Sequence, residues 1–285
     1  MVEQVEIFEV GPRDGLQNIA TLIPTEKKIA LVDLLSKCGF PEIEVASFVS
    51  PKWVPQMADG AEVLSGITRT AGVRYTALTP NLQGLKGAVE AKVDGVAIFA
   101  SASEGFSKAN INKSVEESIH LFSEVATEAQ SAGLPIRGYV SCVTDCPYDG
   151  PVSPSDVVRV VEAFAAMGCT EISLGDTIGQ GTPDRIAAML DAVLLVMPAA
   201  QLAGHFHATN GLALDNVDVA LEYGLRTFDS AIGGLGGCPY APGAQGNLAT
   251  EDLVVHLEKR GFESGISEDA LAQASQLAKT LKGPE

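Results

Sequence analysis

The sequence predicts an α/β chain folded as a closed (β/α)8 barrel, the TIM-barrel architecture. Short β-rich apolar runs alternate with amphipathic segments along all 285 residues, and eight such runs can be counted. Regular alternation requires parallel strands joined by helical crossovers, and eight units close a barrel. An open doubly wound sheet is the alternative, but Gly11-Pro12-Arg13-Asp14-Gly15 stands where a Gly-x-Gly-x-x-Gly turn would follow the first strand. We therefore favour the barrel.

The strands are predicted from apolar runs bounded by turn residues. They span residues 5–9, 42–46, 73–78, 93–99, 136–143, 171–174, 202–207 and 226–230. The helices between them have recognisable ends. Thr25 is predicted to cap a helix that Gly39 ends, Ser114 and Glu117 form a capping box, and Thr182-Pro183 starts a third helix.

The chain is predicted to form one domain, residues 1–285. The barrel accounts for about 1–261, and a helical appendage for about 262–285. The appendage helix, 267–281, begins at a capping Ser267 and carries Glu268 and Asp269 in its first turn. Such a helix either covers the barrel or joins a dimer.

Charge and hydropathy exclude several classes of protein. A net charge of -17 opposes binding to nucleic acid or to an anionic membrane, because both are polyanions. The first strand begins too early to leave room for a targeting peptide, and no apolar run approaches the roughly 18 residues that span a bilayer. Five cysteines, an odd number in a chain too large to need disulfides, favour a reducing cytoplasm. Cys142 and Cys146 are predicted to be packed thiols rather than a pair or a metal site.

Two of the four histidines, His205 and His207, lie two positions apart in the seventh predicted strand. Side chains alternate along a strand, so both imidazoles point to one face and Phe206 to the other. This spacing suits two ligands of one metal ion, and it also suits a hydrogen-bonded histidine pair. The rest of the sequence has to decide between them.

Polar residues gather at one end of the predicted barrel, where such barrels carry their active sites. They are Arg13 and Asp14 after the first strand, Glu44 in the second, Thr79 and Asn81 after the third, 101–104 after the fourth, Arg137 and Tyr139 in the fifth, Asp176 after the sixth, His205 and His207 in the seventh and Asp229 in the eighth. For Thr79 and Asp229 we favour ordinary polar residues. Asp14 with the two histidines instead suggests a mixed oxygen and nitrogen site for Mg2+, Mn2+ or Zn2+, and the oxygen-rich surroundings favour Mg2+ or Mn2+. Asn247 offers a further oxygen ligand, although a turn role is the alternative.

A glycine-rich stretch follows the eighth strand, with six glycines between Gly233 and Asn247. Such a loop is free to open and close. Cys238 lies on it, so its thiol is a candidate proton donor once the loop excludes water. A phosphate-binding glycine loop is the alternative, but the stretch lacks a Gly-Lys-Ser/Thr ending.

The chain resembles the 3-hydroxy-3-methylglutaryl-CoA lyase family, within the wider group of metal-dependent TIM-barrel lyases and synthases. The resemblance covers nearly the whole chain and rests on EVGPRDGLQN at 9–18, SFVSPKWVPQ at 47–56, RGYVSC at 137–142, LGDT at 174–177 and the loop from Gly233 to Asp252. The SFVSPKW and GGCPYA strings are highly specific, whereas the paired histidines alone indicate only the wider group.

The resemblance implies cleavage of 3-hydroxy-3-methylglutaryl-CoA to acetyl-CoA and acetoacetate by a reverse Claisen reaction. It also implies site residues by position. A divalent cation is held by Asp14, His205, His207 and Asn247, and Asp14 is also the candidate base. The enolate is stabilised by Arg13 and receives a proton from Cys238, while the ligands and the thiol are oriented by Glu44, Asp176 and Glu251. The substrate is bound by Arg13, Asn110, Ser114, Arg137 and Tyr139. No organic cofactor is expected apart from the CoA of the substrate, and a homodimer is expected.

The chain departs from the family pattern near the proposed metal. In the family the second histidine is usually followed by Asp-Thr, and in this chain Ala208 stands in place of that aspartate. Near the first-strand loop, Ile19-Ala20 replaces the Glu-Lys pair of the family. Strand alternation predicts that position 208 faces away from the ion, so ligation is retained. These changes leave open a related lyase acting on another hydroxyacyl-CoA such as citramalyl-CoA. A condensing synthase is disfavoured because no regulatory domain follows the barrel, and a non-catalytic CoA- or metal-binding homologue is disfavoured by the retained Cys238.

Overall fold

Eight parallel strands form a closed barrel in the computed structural model, which describes residues 2–236 and 246–281. We number them β1 (Glu6–Glu9), β2 (Glu42–Ser47), β3 (Arg74–Leu78), β4 (Gly95–Ser101), β5 (Ile136–Ser141), β6 (Glu171–Asp176), β7 (Leu202–Phe206) and β8 (Thr227–Ser230). Each strand pairs with its neighbours in chain order, and β8 pairs with β1 to close the cylinder. The predicted fold class is confirmed, and all eight predicted strands are present within about two residues.

Helices connect successive strands on the outside of the barrel. They are α1 (Thr25–Leu35), α2 (Gly60–Gly66), α3 (Leu82–Glu90), α4 (Glu104–Ile111), α5 (Val115–Ser131), α6 (Pro154–Ala166), α7 (Pro183–Val193), α8 (Ala213–Glu222), α9 (Thr250–Lys259) and α10 (Glu268–Leu281). Their apolar faces pack on the outward side chains of the strands in one continuous core. Among the described residues, none of these helices is both long and apolar enough to cross a membrane.

Helix starts follow the sequence prediction at α5, α7 and α10, where Ser267 Oγ accepts from the amide of Ala270 at 3.4 Å, but the capping role predicted for Thr25 is absent. Ser114 and Glu117 form the predicted capping box at α5, each bonded to the backbone of the other. The prediction for Thr25 is wrong: Pro24 precedes the helix, and the Thr25 hydroxyl donates to Asp59 on the next connection at 2.8 Å. Thr182 precedes α7 without a side-chain capping bond, so Pro183, whose fixed φ suits the first helical position, is the start signal there.

The C-terminal helix α10 covers the barrel rather than standing away from it. It packs on α1 and on the turn Ile232–Gly234, and its buried side chains are Leu271, Ala274, Ser275, Ala278 and Leu281. A short parallel pairing of Glu3–Gln4 with Phe262–Glu263 ties the start of the chain to the segment before α10. The buried face of α10 is therefore used within the subunit.

The cysteines of the described chain are free and buried: Cys38, Cys142, Cys146 and Cys169. Cys142 and Cys146 pack with Phe106, and the sulfur of Cys146 accepts a hydrogen bond from the Ser103 hydroxyl at 2.8 Å. The predicted packing role of these two thiols is confirmed. Cys238 lies outside the described residues.

Candidate active site

Arg13 and Asp14 lie on a tight π-helical turn, Gly11–Gly15, that directly follows β1. The carbonyl of Val10 accepts from the amide of Asp14 at 2.8 Å and closes the turn. Glycine is required at position 11, because a Cβ there would lie 2.5 Å from the Glu9 carboxylate. The turn thus presents a guanidinium and a carboxylate side by side at the carboxyl end of the barrel.

The guanidinium of Arg13 is held in a fixed orientation. Its Nε donates to the buried Glu44 carboxylate, and its Nη1 donates to Asp14 Oδ1 at 2.6 Å. Its carbon lies 5.3 Å from the ring centre of Tyr139, a cation–π contact. Although burial opposes the charge, the carboxylates of Glu44 and Asp14 raise the pKa of Arg13, so it stays protonated. Nη2 lies outside both ion pairs.

The two histidines face each other across the same end of the barrel. His205 lies in β7, and His207 follows it in a single bridge with Asn247, so β7 is one residue shorter than predicted. Their Nε2 atoms are 3.3 Å apart. Burial lowers the pKa of His207 to about 4, helped by the neighbouring His205. A neutral imidazole is the form that coordinates metal.

Asp14, His205 and His207 form a group with metal-ligand geometry. One ligand atom from each lies within 4.8 Å of the others. Burial tends to raise the pKa of Asp14, but the charge of Arg13 and the nearby histidines hold it below its usual value, so the carboxylate is ionised. One ionised oxygen ligand and two imidazoles that converge on one point fit a divalent cation.

Asn247 reaches the same group from the far end of the glycine-rich stretch. Its Nδ2 donates to Asp14 Oδ2 at 2.8 Å and to the Leu235 carbonyl at 3.2 Å. Its backbone amide donates to the carbonyl of Gly236 at 3.2 Å. The described residues at the two ends of the stretch, Gly236 and Asn247, therefore both lie beside Asp14.

Three buried side chains at the site, Tyr139, Glu44 and His207, keep an unpartnered polar atom within the described residues, which for His207 is Nδ1. The Tyr139 hydroxyl and Glu44 Oε1 have no hydrogen-bond partner, and a β-bulge sets Glu44 off from its neighbour Ala46 in β2. The ring centre of Tyr139 lies 6.3 Å from that of His205, so its free hydroxyl belongs to the same chamber. Burial raises the pKa of both Glu44 and Tyr139. Unsatisfied buried polar atoms are uncommon, and at this site they are available to a ligand.

Asp176 and Glu251 act on the loops around the site. Asp176 accepts from the Thr144 hydroxyl at 3.1 Å and from the amide of Gly181 at 2.9 Å, which shapes the loop after β6. A Cβ at Gly179 of this loop would lie 2.9 Å from the His207 carbonyl, so the loop touches the histidine segment. Glu251 accepts from the amide of Gly233 at 2.9 Å and holds the turn that leads into the glycine-rich stretch.

The residues proposed for substrate binding fall in different places. Ser114 caps α5, and Asn110 lies exposed on α4. In residues 2–236 and 246–281, neither takes part in the hydrogen bonds that connect Arg13, Asp14 and the histidines. Arg137 points into the barrel, where its nitrogens donate to Glu171 and Asp229. Ala208 is partly buried and packs against the hydrophobic core.

Sequence reasoning passed over two buried carboxylates. The prediction of an ordinary polar role for Asp229 is wrong, because this residue of β8 is only 2 % exposed and accepts a hydrogen bond from His205 Nδ1 at 2.9 Å. Burial opposes the charge of the carboxylate, but Arg137 and His205 hold the pKa of Asp229 far below its usual value. Glu9 accepts from the amides of Gly11 and Ile232 and from the Thr250 hydroxyl, at 2.7–2.9 Å. A carboxylate placed on the inward face of a predicted barrel strand was the available signal for Asp229.

Comparisons with known proteins agree on one family. The family model described as HMGL-like matches residues 4–278. A mitochondrial hydroxymethylglutaryl-CoA lyase of Bos taurus is 54% identical over 95% of this chain and 84% of its own length. A crystal structure of the HMG-CoA lyase from Brucella melitensis superposes with a TM-score of 0.98 at 56% identity, covering 99% of this chain and all of the other. An Acinetobacter baumannii HMG-CoA lyase in complex with coenzyme A and 3-methylmalate matches at TM-score 0.93 and 42% identity, over 99% and 92% of the two chains.

Proposed function

The chain belongs to the HMGL-like family, and from this membership and the site geometry we propose that it is a lyase that cleaves 3-hydroxy-3-methylglutaryl-CoA to acetyl-CoA and acetoacetate. The observation that carries the proposal is the group of Asp14, His205 and His207 beside Arg13, in a chain 54% identical to a lyase of that name. A metal-ligand set next to a fixed guanidinium is what a reverse Claisen cleavage needs.

Asp14, His205, His207 and Asn247 would hold the divalent cation, which we propose is Mg2+ or Mn2+ because half of the proposed donors are oxygens. When bound, the cation would lower the pKa of the substrate's C3 hydroxyl and orient it. Asn247 orients Asp14 by donating an amide hydrogen bond to its carboxylate, and Asp229 orients His205 by accepting a hydrogen bond from Nδ1.

Proton removal from the C3 hydroxyl starts the reaction, with the ionised Asp14 carboxylate as the proposed base. The O–H electrons then form the C3 carbonyl, the C2–C3 bond breaks, and its electron pair passes to the thioester as an enolate. Arg13 would stabilise that negative charge, because Glu44 and Tyr139 fix its guanidinium and keep Nη2 free of the two ion pairs. Acetoacetate is the product released from the C3 side.

Cys238 is the proposed donor of the proton that converts the enolate at C2 into acetyl-CoA. It follows Gly236 by two residues, and a Cβ at Gly236 would lie 3.5 Å from the Asp14 carbonyl. Glu9 and Glu251 hold the turn that precedes this stretch through the amides of Ile232 and Gly233. The chain therefore anchors the residues that precede Cys238 beside Asp14, which supports the proposal.

Substrate recognition is proposed to involve an acyl-CoA, as the named relatives suggest. The unpartnered Tyr139 hydroxyl offers a hydrogen bond inside the chamber. Asn110 in the last turn of α4 and Ser114 at the start of α5 would meet the substrate farther out. We also propose that residues 1–285 act as one domain, because α10 packs on α1 and closes the side of the barrel. A homodimer in a reducing cytoplasm remains part of the proposal, and the free cysteines support the compartment.

Product analysis tests the proposal directly. The purified protein, stripped with a chelator, is incubated with 3-hydroxy-3-methylglutaryl-CoA with and without Mg2+ or Mn2+, and products are identified by mass spectrometry. We expect acetyl-CoA and acetoacetate only when metal is added. Cleavage of citramalyl-CoA to acetyl-CoA and pyruvate, without cleavage of the first substrate, would move the proposal to that related reaction, and no cleavage of either would refute it.

A further inference from the structure

A buried polar network fills the barrel below the candidate metal group. Its centre is Asp229 on β8, whose two oxygens are shared by three side chains from three other strands. Oδ2 lies 2.9 Å from His205 Nδ1 and accepts from Ser173 Oγ at 2.8 Å and from Arg137 Nη1 at 3.0 Å, while Oδ1 accepts from Arg137 Nη2 at 2.7 Å. Both oxygens of the Asp229 carboxylate, which is 2 % exposed, therefore accept hydrogen bonds from these side chains and fix their positions.

The guanidinium of Arg137 also has a hydrogen-bond partner for each of its polar atoms. Its Nε donates to Glu171 at 2.7 Å, so each of its three nitrogens has a carboxylate partner. The guanidinium also lies 4.0 Å from the ring centre of Phe8 and 4.9 Å from that of Tyr139. The side chain is 8% exposed. The bidentate pair with Asp229 and the two rings hold the guanidinium in one orientation, and Arg–carboxylate pairs of this kind fix the orientation of the carboxylate as well.

The hydrogen bond between Asp229 and His205 has a chemical consequence for the opposite ring nitrogen. A carboxylate accepts the proton of Nδ1 and so fixes the tautomer in which Nε2 keeps its lone pair. Nε2 of His205 is the atom that faces His207 and the Asp14 side of the group. Because Asp229 is itself held by Arg137, loss of the guanidinium would free the carboxylate and loosen the histidine.

We propose that Arg137 is a positioning residue that acts through Asp229 on His205, and that it does not contact the substrate. The inference rests on the proposed metal site, and it replaces the substrate-binding role that the family resemblance implies for Arg137. Ser173 supports the same oxygen from β6. The predicted consequence is that changes at Arg137 or Asp229 alter metal affinity rather than substrate affinity.

Metal affinity without substrate is the first test. Mn2+ binding is measured by electron paramagnetic resonance on the native protein, Asp229→Asn, Arg137→Gln and Arg137→Lys, with Arg74→Gln as the matched control. Arg74 is also paired with a glutamate, Glu42, but its side chain is 58% exposed at the opposite mouth of the barrel. Asn at position 229 keeps the shape but offers one acceptor oxygen to three donors. We expect Asp229→Asn and Arg137→Gln to weaken Mn2+ binding about 10–100-fold, which is the usual effect of losing an outer partner of a metal-bound histidine. Arg137→Lys should weaken Mn2+ binding less, and the Arg74→Gln control should leave it unchanged.

Kinetics at saturating metal separate the two roles of Arg137. If it positions His205, KM in Arg137→Gln stays near the native value once metal is saturating. If it contacts substrate, KM rises while Mn2+ affinity is unchanged, and that result would overturn the inference.

Nitrogen-15 NMR of histidine reads the tautomer in the native protein itself, and a variant serves only to assign the signal. The four histidines give few signals, and that of His205 is assigned by its loss in His205→Gln. With Mg2+ present we expect a proton on Nδ1 of His205, and a proton on Nε2 instead would overturn the inference. Should the native protein bind no Mn2+, the metal site of the proposed function fails, while the tautomer measured without metal still decides whether Asp229 sets His205.

Discussion

His205 and His207 form an asymmetric pair: their Nε2 atoms are 3.3 Å apart, but only His205 has its Nδ1 held, by Asp229 at 2.9 Å. Nδ1 of His207 is buried and has no partner within the described residues. Rotation of the His205 ring is therefore restrained by a carboxylate, whereas that of His207 is restrained by packing and by its backbone bridge to Asn247. The two ligands should consequently respond differently to changes around them.

Removal of either imidazole should abolish tight metal binding. We expect His205→Ala and His207→Ala each to weaken Mn2+ binding by more than the roughly 100-fold that loss of an outer partner costs, because a direct ligand is lost. Isothermal titration calorimetry measures this. His120→Ala is the matched control, since that side chain is 83% exposed on α5. Unchanged Mn2+ affinity in both site variants would place the metal elsewhere.

Replacement of Arg13 should affect turnover more than substrate binding. Arg13→Gln removes the charge that is proposed to stabilise the enolate, and we expect kcat to fall by about 10²–10³-fold, the usual cost of one such donor. Steady-state kinetics at saturating metal check this. Arg69→Gln, which breaks an exposed pair with Asp94, should leave kcat unchanged. A rise in KM with native kcat would show that Arg13 only binds the substrate.

Cys238→Ser should lower turnover strongly and leave metal content unchanged, because a hydroxyl is a far weaker acid than a thiol. Turnover is followed by acetyl-CoA formation, and metal content by inductively coupled plasma mass spectrometry. Cys38→Ser is the control: the Cys38 thiol donates to the Leu34 carbonyl at 3.4 Å, and a hydroxyl can keep that bond. Full activity in Cys238→Ser would remove the proton-donor assignment.

Stability should depend on pH through Glu9. Burial raises the pKa of Glu9 from 4.5 to about 8, against the opposing hydrogen bond from Thr250. The folded protein therefore binds a proton that the unfolded chain has released between these values, so the stability that this carboxyl contributes is full below pH 4.5 and is lost as pH rises through about 8. Relative to Glu9→Gln, the native protein should lose up to about 1.4 kcal/mol of unfolding free energy per pH unit in this window.

Urea unfolding at pH 5, 6, 7, 8 and 9, with chelator present, measures the difference between the native protein and Glu9→Gln. The exposed Glu90→Gln is the control, and its difference from the native protein should stay level with pH. A difference for Glu9→Gln that is equally level would show that Glu9 is ionised in the folded protein.

Much of the fold was predictable because its signals are local. Alternating β-rich runs and amphipathic segments marked all eight strands, and the capping box at Ser114 and Glu117 marked the start of α5. Thr25 was predicted wrongly because its hydroxyl found a partner, Asp59, 34 positions away. A cap residue competes with every acceptor that the folded chain brings near it, and a sequence pattern does not record those acceptors.

The candidate site was predictable in part for a similar reason. Period-two spacing placed His205 and His207 on one face of a strand, and the position of Asp14 after the first strand placed it at the same end of the predicted barrel. Asn247 was a candidate oxygen ligand with a turn role as the alternative, and the resemblance favoured the ligand. Asp229 was set aside because an acidic residue at the end of a predicted strand usually faces water. Its β-partner is His205, and no local pattern announces a contact between strands.

By itself the sequence determined the order and kind of elements, the family, and the residue types available at the carboxyl ends of the strands, because periodicity and motif are properties of neighbouring positions. Tertiary structure decided which of those polar residues meet. It joined Arg13 of β1's turn to Glu44 of β2, and committed Arg137 of β5 to Asp229 of β8. Pairing of adjacent strands caused the first contact. Closure of the barrel caused the second, since it brings inward side chains from strands far apart in the chain into one low-dielectric space where each charge needs a partner.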